Sequence, residues 1–116
     1  MSEQVPNPET PAQQITRAFD ALLAKTPEQH IAPTTRSIDE YHVSRFNLAG
    51  AKGSDSLTTF EVVVGLRKYA FEEIGSSRRY YVDGNLINPE EEAAVAQAEA
   101  EMLQATLSAL ERYEAS

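Results

Sequence analysis

The sequence predicts an α+β fold: a three- to four-stranded antiparallel meander with an N-terminal helix and a long C-terminal helix packed on one face. Three observations carry that expectation. A helix-starting motif recurs as "TPAQ" (Thr10 to Gln13), "TPEQ" (Thr26 to Gln29) and "NPEE" (Asn88 to Glu91). β-Branched and aromatic residues concentrate in the middle of the chain, between residues 40 and 82. Beyond Pro89, Ala, Leu, Glu and Gln dominate as far as Tyr113, with no Gly or Pro to interrupt them. Helix, strands with short links, and helix again argue a meander covered on one side.

In each motif a Thr or Asn precedes Pro, and Gln or Glu stands at the third helical position. Pro is pre-set for the first helical turn, where its missing N–H costs nothing. The side chains on either side of it can satisfy each other's orphan backbone donors. Residues 1–9 carry two prolines and little that is aliphatic apart from Val5, so they are expected to form a disordered tail ahead of a single domain over 10–116.

The first helix is expected from Pro11 to about Lys25, with Ile15, Ala18, Phe19, Leu22 and Leu23 on one face. A short second helix follows from Pro27 and stops near Ile31, before Pro33. Strands are expected at 40–50, 57–71 and 78–82, with the Gly- and Ser-rich stretch 50–56 as a loop.

The run "KYAFEEIGSSRRYYVDG", residues 68–84, is the densest in charge and aromatic rings. A two-residue turn at Gly75-Ser76 suits the type II′ geometry. The resulting register pairs Glu73 with Arg78, Glu72 with Arg79, Phe71 with Tyr80 and Lys68 with Asp83. Such cross-strand pairs contribute roughly 0.2–1 kcal/mol each. One difficulty accompanies this reading. Phe60, Val62 and Val64 are at even positions but Tyr69 and Phe71 at odd ones, which calls for a bulge or bend near Gly65 to Lys68. The first strand switches likewise, from Tyr41 and Val43 to Phe46 and Leu48. The composition of residues 66–74 also permits a short helix closed by Gly75. Asp83-Gly84 marks a further turn, which folds residues 85–87 back before the last helix.

That last helix, Pro89 to about Tyr113, carries two apolar stripes. The first is Ala93, Ala96, Ala100, Leu103, Leu107 and Leu110; the second is Val95, Ala98, Met102, Ala105, Ala109 and Tyr113. One supporting surface needs an apolar arc of only about 100°. The first stripe is expected to lie on the sheet, leaving the second to be covered by the first helix, a second copy or a partner.

Charge narrows the function classes. The net charge is −8, made of −2 over residues 1–35, +1 over 36–79 and −7 over 80–116. A phosphate-binding protein needs the opposite sign, so direct contact with nucleic acid or an anionic membrane is disfavoured. The chain has no cysteine, which removes disulfides, thiolate metal sites and a cysteine nucleophile. No apolar run approaches the roughly 18 residues of a membrane span, and the first residues lack a signal-peptide pattern. A cytoplasmic location is expected.

No catalytic constellation emerges, and neither a cofactor nor a metal is expected. His30 and His42 lack metal-ligand spacing. Residues 50–56 do not match a phosphate loop. Glu72 and Glu73 would point to opposite faces of a strand and cannot share a proton, and Glu90 to Glu92 suit the positive end of a helix. Arg45, Arg78, Arg79 and Tyr81 form a candidate anion- or ligand-binding cluster on the sheet, since arginines beside tyrosines can clamp phosphate or carboxylate.

The function expected is therefore non-catalytic: a small acidic protein that binds another protein with a basic surface, as inhibitor, adaptor or chaperone. Phage-encoded inhibitors of bacterial defence nuclease complexes are one subtype. The residues expected to meet the partner are Glu91, Glu92, Glu99, Glu101, Met102 and Tyr113, with a homodimer through residues 89–113 as a related possibility. The alternatives are a ligand-binding protein using the Arg/Tyr cluster and a structural subunit of a larger assembly such as a phage particle.

Overall fold

A computed structural model describes residues 9–27, 32–48, 50 and 55–115. Helix α1 (Pro11–Leu23) is followed by strands β1 (Thr34–Ile38), β2 (Tyr41–Leu48), β3 (Leu57–Val64), β4 (Arg67–Ile74), β5 (Ser77–Val82) and β6 (Asn85–Leu86), then helix α2 (Glu92–Ala115). The strands form one antiparallel sheet in sequence order, so the α+β meander stands, but with six strands rather than three or four.

The capping motifs fare differently. At Thr10 the capping box closes: the Gln13 amide donates to Thr10 Oγ1 at 3.2 Å and the Thr10 amide to Gln13 Oε1 at 2.9 Å. At Asn88 the motif makes a turn instead. The Glu90 amide donates to Asn88 Oδ1 at 3.0 Å and the Glu91 amide to the Asn88 carbonyl at 3.0 Å. Helix α2 therefore begins at Glu92, three residues later than expected. The short helix expected after Pro27, and the tail apart from Glu9, lie outside the described residues.

Two corrections account for the extra strands. β1 is a strand of mostly polar residues, held by full pairing with β2 from Thr34–Arg45 to Ile38–Tyr41. The segment 57–71 is two strands, not one, folded at Gly65-Leu66 with Leu66 fully exposed at the tip. That turn dissolves the parity problem. Val64 pairs with Arg67, so even positions of β3 share a face with odd positions of β4, and no bulge is needed. The region 66–74 is strand β4, not a helix. Its hairpin with β5 has the register expected, with Glu73 opposite Arg78, Glu72 opposite Arg79 and Phe71 opposite Tyr80. β2 pairs with β3 without interruption, so Phe46 and Leu48 lie on the face opposite Val43.

Both helices cover the same face of the sheet. Phe60, Phe71 and Tyr80 lie in one cross-strand row on it, with ring centroids 4.5 Å and 5.5 Å apart, and Phe19 of α1 meets Phe60 edge-on at 5.3 Å. Ile15, Leu22, Val43, Val62 and Met102 complete the fully buried core. Among the described residues no helix lies on the other face of the sheet, as antiparallel sheets allow.

Candidate functional site

Which stripe of α2 faces the core decides where a site can be. Ala98, Met102, Thr106 and Ala109 are the buried residues of α2, and Val95, Ala105 and Tyr113 pack beside them. The second stripe is therefore covered by the chain's own sheet together with α1, the first of the three covers expected for it, and it is this stripe rather than the first that lies on the sheet. Of the first stripe, Ala93, Ala96, Ala100 and Leu107 are exposed, Leu107 to 43%, while Leu103 and Leu110 are partly buried against the core. Thr106 is accommodated in the core because its hydroxyl donates to the Met102 carbonyl at 2.7 Å, inside the helix.

Two tyrosines fasten α2 to the sheet. The Tyr69 hydroxyl on β4 donates to Glu101 at 3.1 Å, and the Tyr80 hydroxyl on β5 donates to Glu99. Burial raises the pKa of both phenols above the ordinary tyrosine value, and the neighbouring carboxylate raises it further. Glu99 and Glu101 thus have structural partners within the chain. At the other end of the helix, the Arg36 guanidinium lies 4.7 Å from the centre of the Tyr113 ring. Arg36 also donates through Nε to the Leu22 carbonyl and through Nη2 to Thr26 Oγ1 at 3.0 Å.

Of the residues expected to meet a partner, Met102 is only 1% exposed and belongs to the core. Tyr113 is half-buried against Arg36, and Glu99 and Glu101 are half-buried under their tyrosines. Glu91 and Glu92 are exposed at the start of the helix. The outward stripe instead forms a groove of about 470 Å³, lined by Pro11, Ala100, Leu103, Gln104, Leu107, Ser108 and Glu111. None of these was singled out as a partner residue. A signal for them does exist in the sequence. Within Glu92–Ala115, helical spacing puts Glu92, Glu111 and Glu114 in the arc of the first stripe, whereas the arc holding Val95, Ala98, Met102, Ala105, Thr106 and Ala109 contains no charge.

The Arg/Tyr cluster does not assemble. Strand register sends Arg45 and Arg78 to the helix-covered face, and Arg79 and Tyr81 to the other. Arg45 is paired with Asp20 of α1, and Arg78 with Glu73 at 3.0 Å. On the open face the Tyr81 hydroxyl donates to Glu72 at 2.5 Å, the leading cause of its raised pKa. His42 on the same face shares a hydrogen bond of 2.8 Å between its Nδ1 and Ser37 Oγ, where both side chains are exposed.

Near the turn at Asp83, the carboxylate accepts from the Lys68 amide at 2.9 Å and from Arg67 at 2.7 Å. Those two donors, the amide first, hold the Asp83 pKa below the usual carboxylate range. Among the described residues no group of His, Asp and Glu is placed to hold a metal ion. No helix of the described residues is long and apolar enough to cross a membrane. Compared with protein-family models, curated proteins and solved structures, the chain matches none of them.

Proposed function

We propose that this chain is a non-catalytic protein-binding protein that takes the basic surface of another protein on the outward stripe of α2. The observation that carries this reading is the apolar groove lined by Leu103 and Leu107 with Glu111 at its rim, in a segment of net charge −7. Leu107 is exposed and Leu103 beside it is only partly buried, so a partner seated on the groove gains from covering both. Carboxylates around the groove steer a cationic surface toward it. An inhibitor that occupies a surface meant for nucleic acid is one member of this class, because its carboxylates present the same sign of charge as phosphates.

The test is affinity capture from source cells at about 50 mM and then roughly 300 mM salt. A stoichiometric partner that is retained at low salt, weakened at high salt and lost with Leu107→Glu supports the reading. A partner retained equally by Leu107→Glu but lost with Arg79→Ala would move the binding surface to the open face of the sheet.

A further inference from the structure

We infer that the groove on α2 receives an amphipathic helix with lysine or arginine along its flanks, an inference that rests on the protein-binding reading and adds the partner's chemistry. The lining residues Ala100, Leu103, Gln104, Leu107, Ser108 and Glu111 come from one helix, at spacings of three and four. Their run rises about 16 Å, or three helical turns. Every interior backbone donor and acceptor of α2 is used within the helix, so no strand can be added to it there. An occupant must arrive with its own backbone already satisfied, which an α-helix does. Ala100 leaves a notch beside Leu103 and Leu107 into which a ridge of partner leucines can fit.

Charge then selects which helix. Glu111 lines the groove and Glu114 lies on the same side of α2, and neither forms an ion pair with a described residue. The cation next to them in sequence, Arg112, is turned to Asp39 at 3.2 Å and Glu40 at 3.8 Å. A second copy is a poor occupant for the same reason. A two-fold interface sets each residue against its counterpart. In either orientation two acidic helices meet, each from a segment of net charge −7, and with parallel helices each Glu111 also faces the other copy's Glu111. Both arrangements bring like charges together, whereas a basic helix meets them with opposite ones.

The probe is a synthetic helical peptide of about 18 residues with leucines on one face and lysines flanking them. It is titrated into the isotope-labelled full chain while backbone amide resonances are followed. The expected result is shifts concentrated over residues 100–111. Binding should weaken about tenfold or more with Leu107→Glu, and about tenfold again between roughly 50 and 300 mM salt. Leu107 is 43% exposed, so this substitution leaves the core in place. Equal binding by a peptide with glutamines for its leucines would reduce the effect to charge alone and overturn the inference. So would shifts centred on the open sheet face. A dimer in sedimentation that Leu107→Glu converts to monomer would assign the groove to a second copy instead. The two levels fail separately: a cellular partner that depends on Leu107 while the peptide does not bind removes only the helical chemistry. A cellular partner indifferent to Leu107→Glu removes the docking site itself.

Discussion

The hydroxyl of Tyr80 on β5 donates to the carboxylate of Glu99 on α2, so a strand and a helix 19 residues apart are joined through one half-buried hydrogen bond. Tyr69 and Glu101 repeat the arrangement one strand away, at 3.1 Å. Together they fix the height of α2 above the sheet and, with it, which stripe of the helix faces outward.

Removing the Tyr80 hydroxyl leaves Glu99 without its donor in a half-buried position. Tyr80→Phe is expected to cost about 1.5–3 kcal/mol in urea unfolding, the scale of a hydrogen bond to a charged group. The phenol's pKa is raised in the folded state, first by burial and then by Glu99. An unfolded tyrosine titrates near pH 10. The stability this phenol contributes is therefore fully present below about pH 10 and lost as pH rises toward its folded pKa. Melting temperature should be level up to about pH 10 and fall above it, less steeply in Tyr80→Phe. An alkaline slope identical in the two proteins would show that Tyr80 is not the group involved.

Met102 and Leu107 belong to different stripes, and their truncation separates inward from outward. Met102 is 1% exposed, so Met102→Ala should destabilise by about 3 kcal/mol through lost packing and the cavity left behind. Leu107→Ala should stay within about 0.5 kcal/mol of wild type. The reverse order in thermal or urea unfolding would mean that the helix is turned the other way.

Arg36 joins β1, the end of α1 and the last turns of α2. Arg36→Lys keeps the charge but loses the planar fork that reaches the Leu22 carbonyl and Thr26 while lying over Tyr113. A loss of about 1–2 kcal/mol is expected from the hydrogen bonds and the ring contact together. Hydrogen exchange should show the loosening at the C-terminal turns of α1 and α2 first.

Gly65 and Gly75 open two tight hairpins at φ of +59° and +58°. An added Cβ at Gly65 meets nothing within 4 Å, while at Gly75 it would come 2.6 Å from the Asp55 carboxylate. Asp55 is exposed and its carboxylate is a flexible end, so it can swing aside. Both Gly→Ala changes should therefore cost about 1 kcal/mol, set by the backbone conformation rather than by the contact. A Gly75→Ala cost several times that of Gly65→Ala, restored by adding Asp55→Ala, would show that the carboxylate is held in place.

The features legible in the sequence were those decided by near neighbours along the chain. The Thr10 capping box, the face of α1 bearing Ile15, Phe19 and Leu22, and the register that sets Glu73 opposite Arg78 all depend on residues a few positions apart. A cap, a helical period and a two-residue turn are local enough to be fixed by local chemistry. β1, Thr34 to Ile38, has three β-branched residues, but Ile38 is its single aliphatic one, so it lacks an apolar alternation and is held as a strand by pairing with β2. The fold at Gly65 was mistaken for a bend in one strand, since both a bulge and a hairpin change the parity of the buried positions.

Tertiary packing and the placement of charge together decided the orientation of α2. Two stripes of similar apolar content competed for the sheet, and the one free of carboxylates won, because burying Glu111 or Glu114 without a partner costs more than exposing Leu107. It also divided the arginines: register sent Arg45 and Arg78 under the helices and Arg79 to the open face, so a cluster close in sequence is not one in space. By itself the sequence determined that the chain is acidic at one end and α+β in class. The carboxylates along α2 already mark the stripe that faces outward; only the three-dimensional fold decided what covers the other, since that depends on groups brought together from β4, β5 and α1.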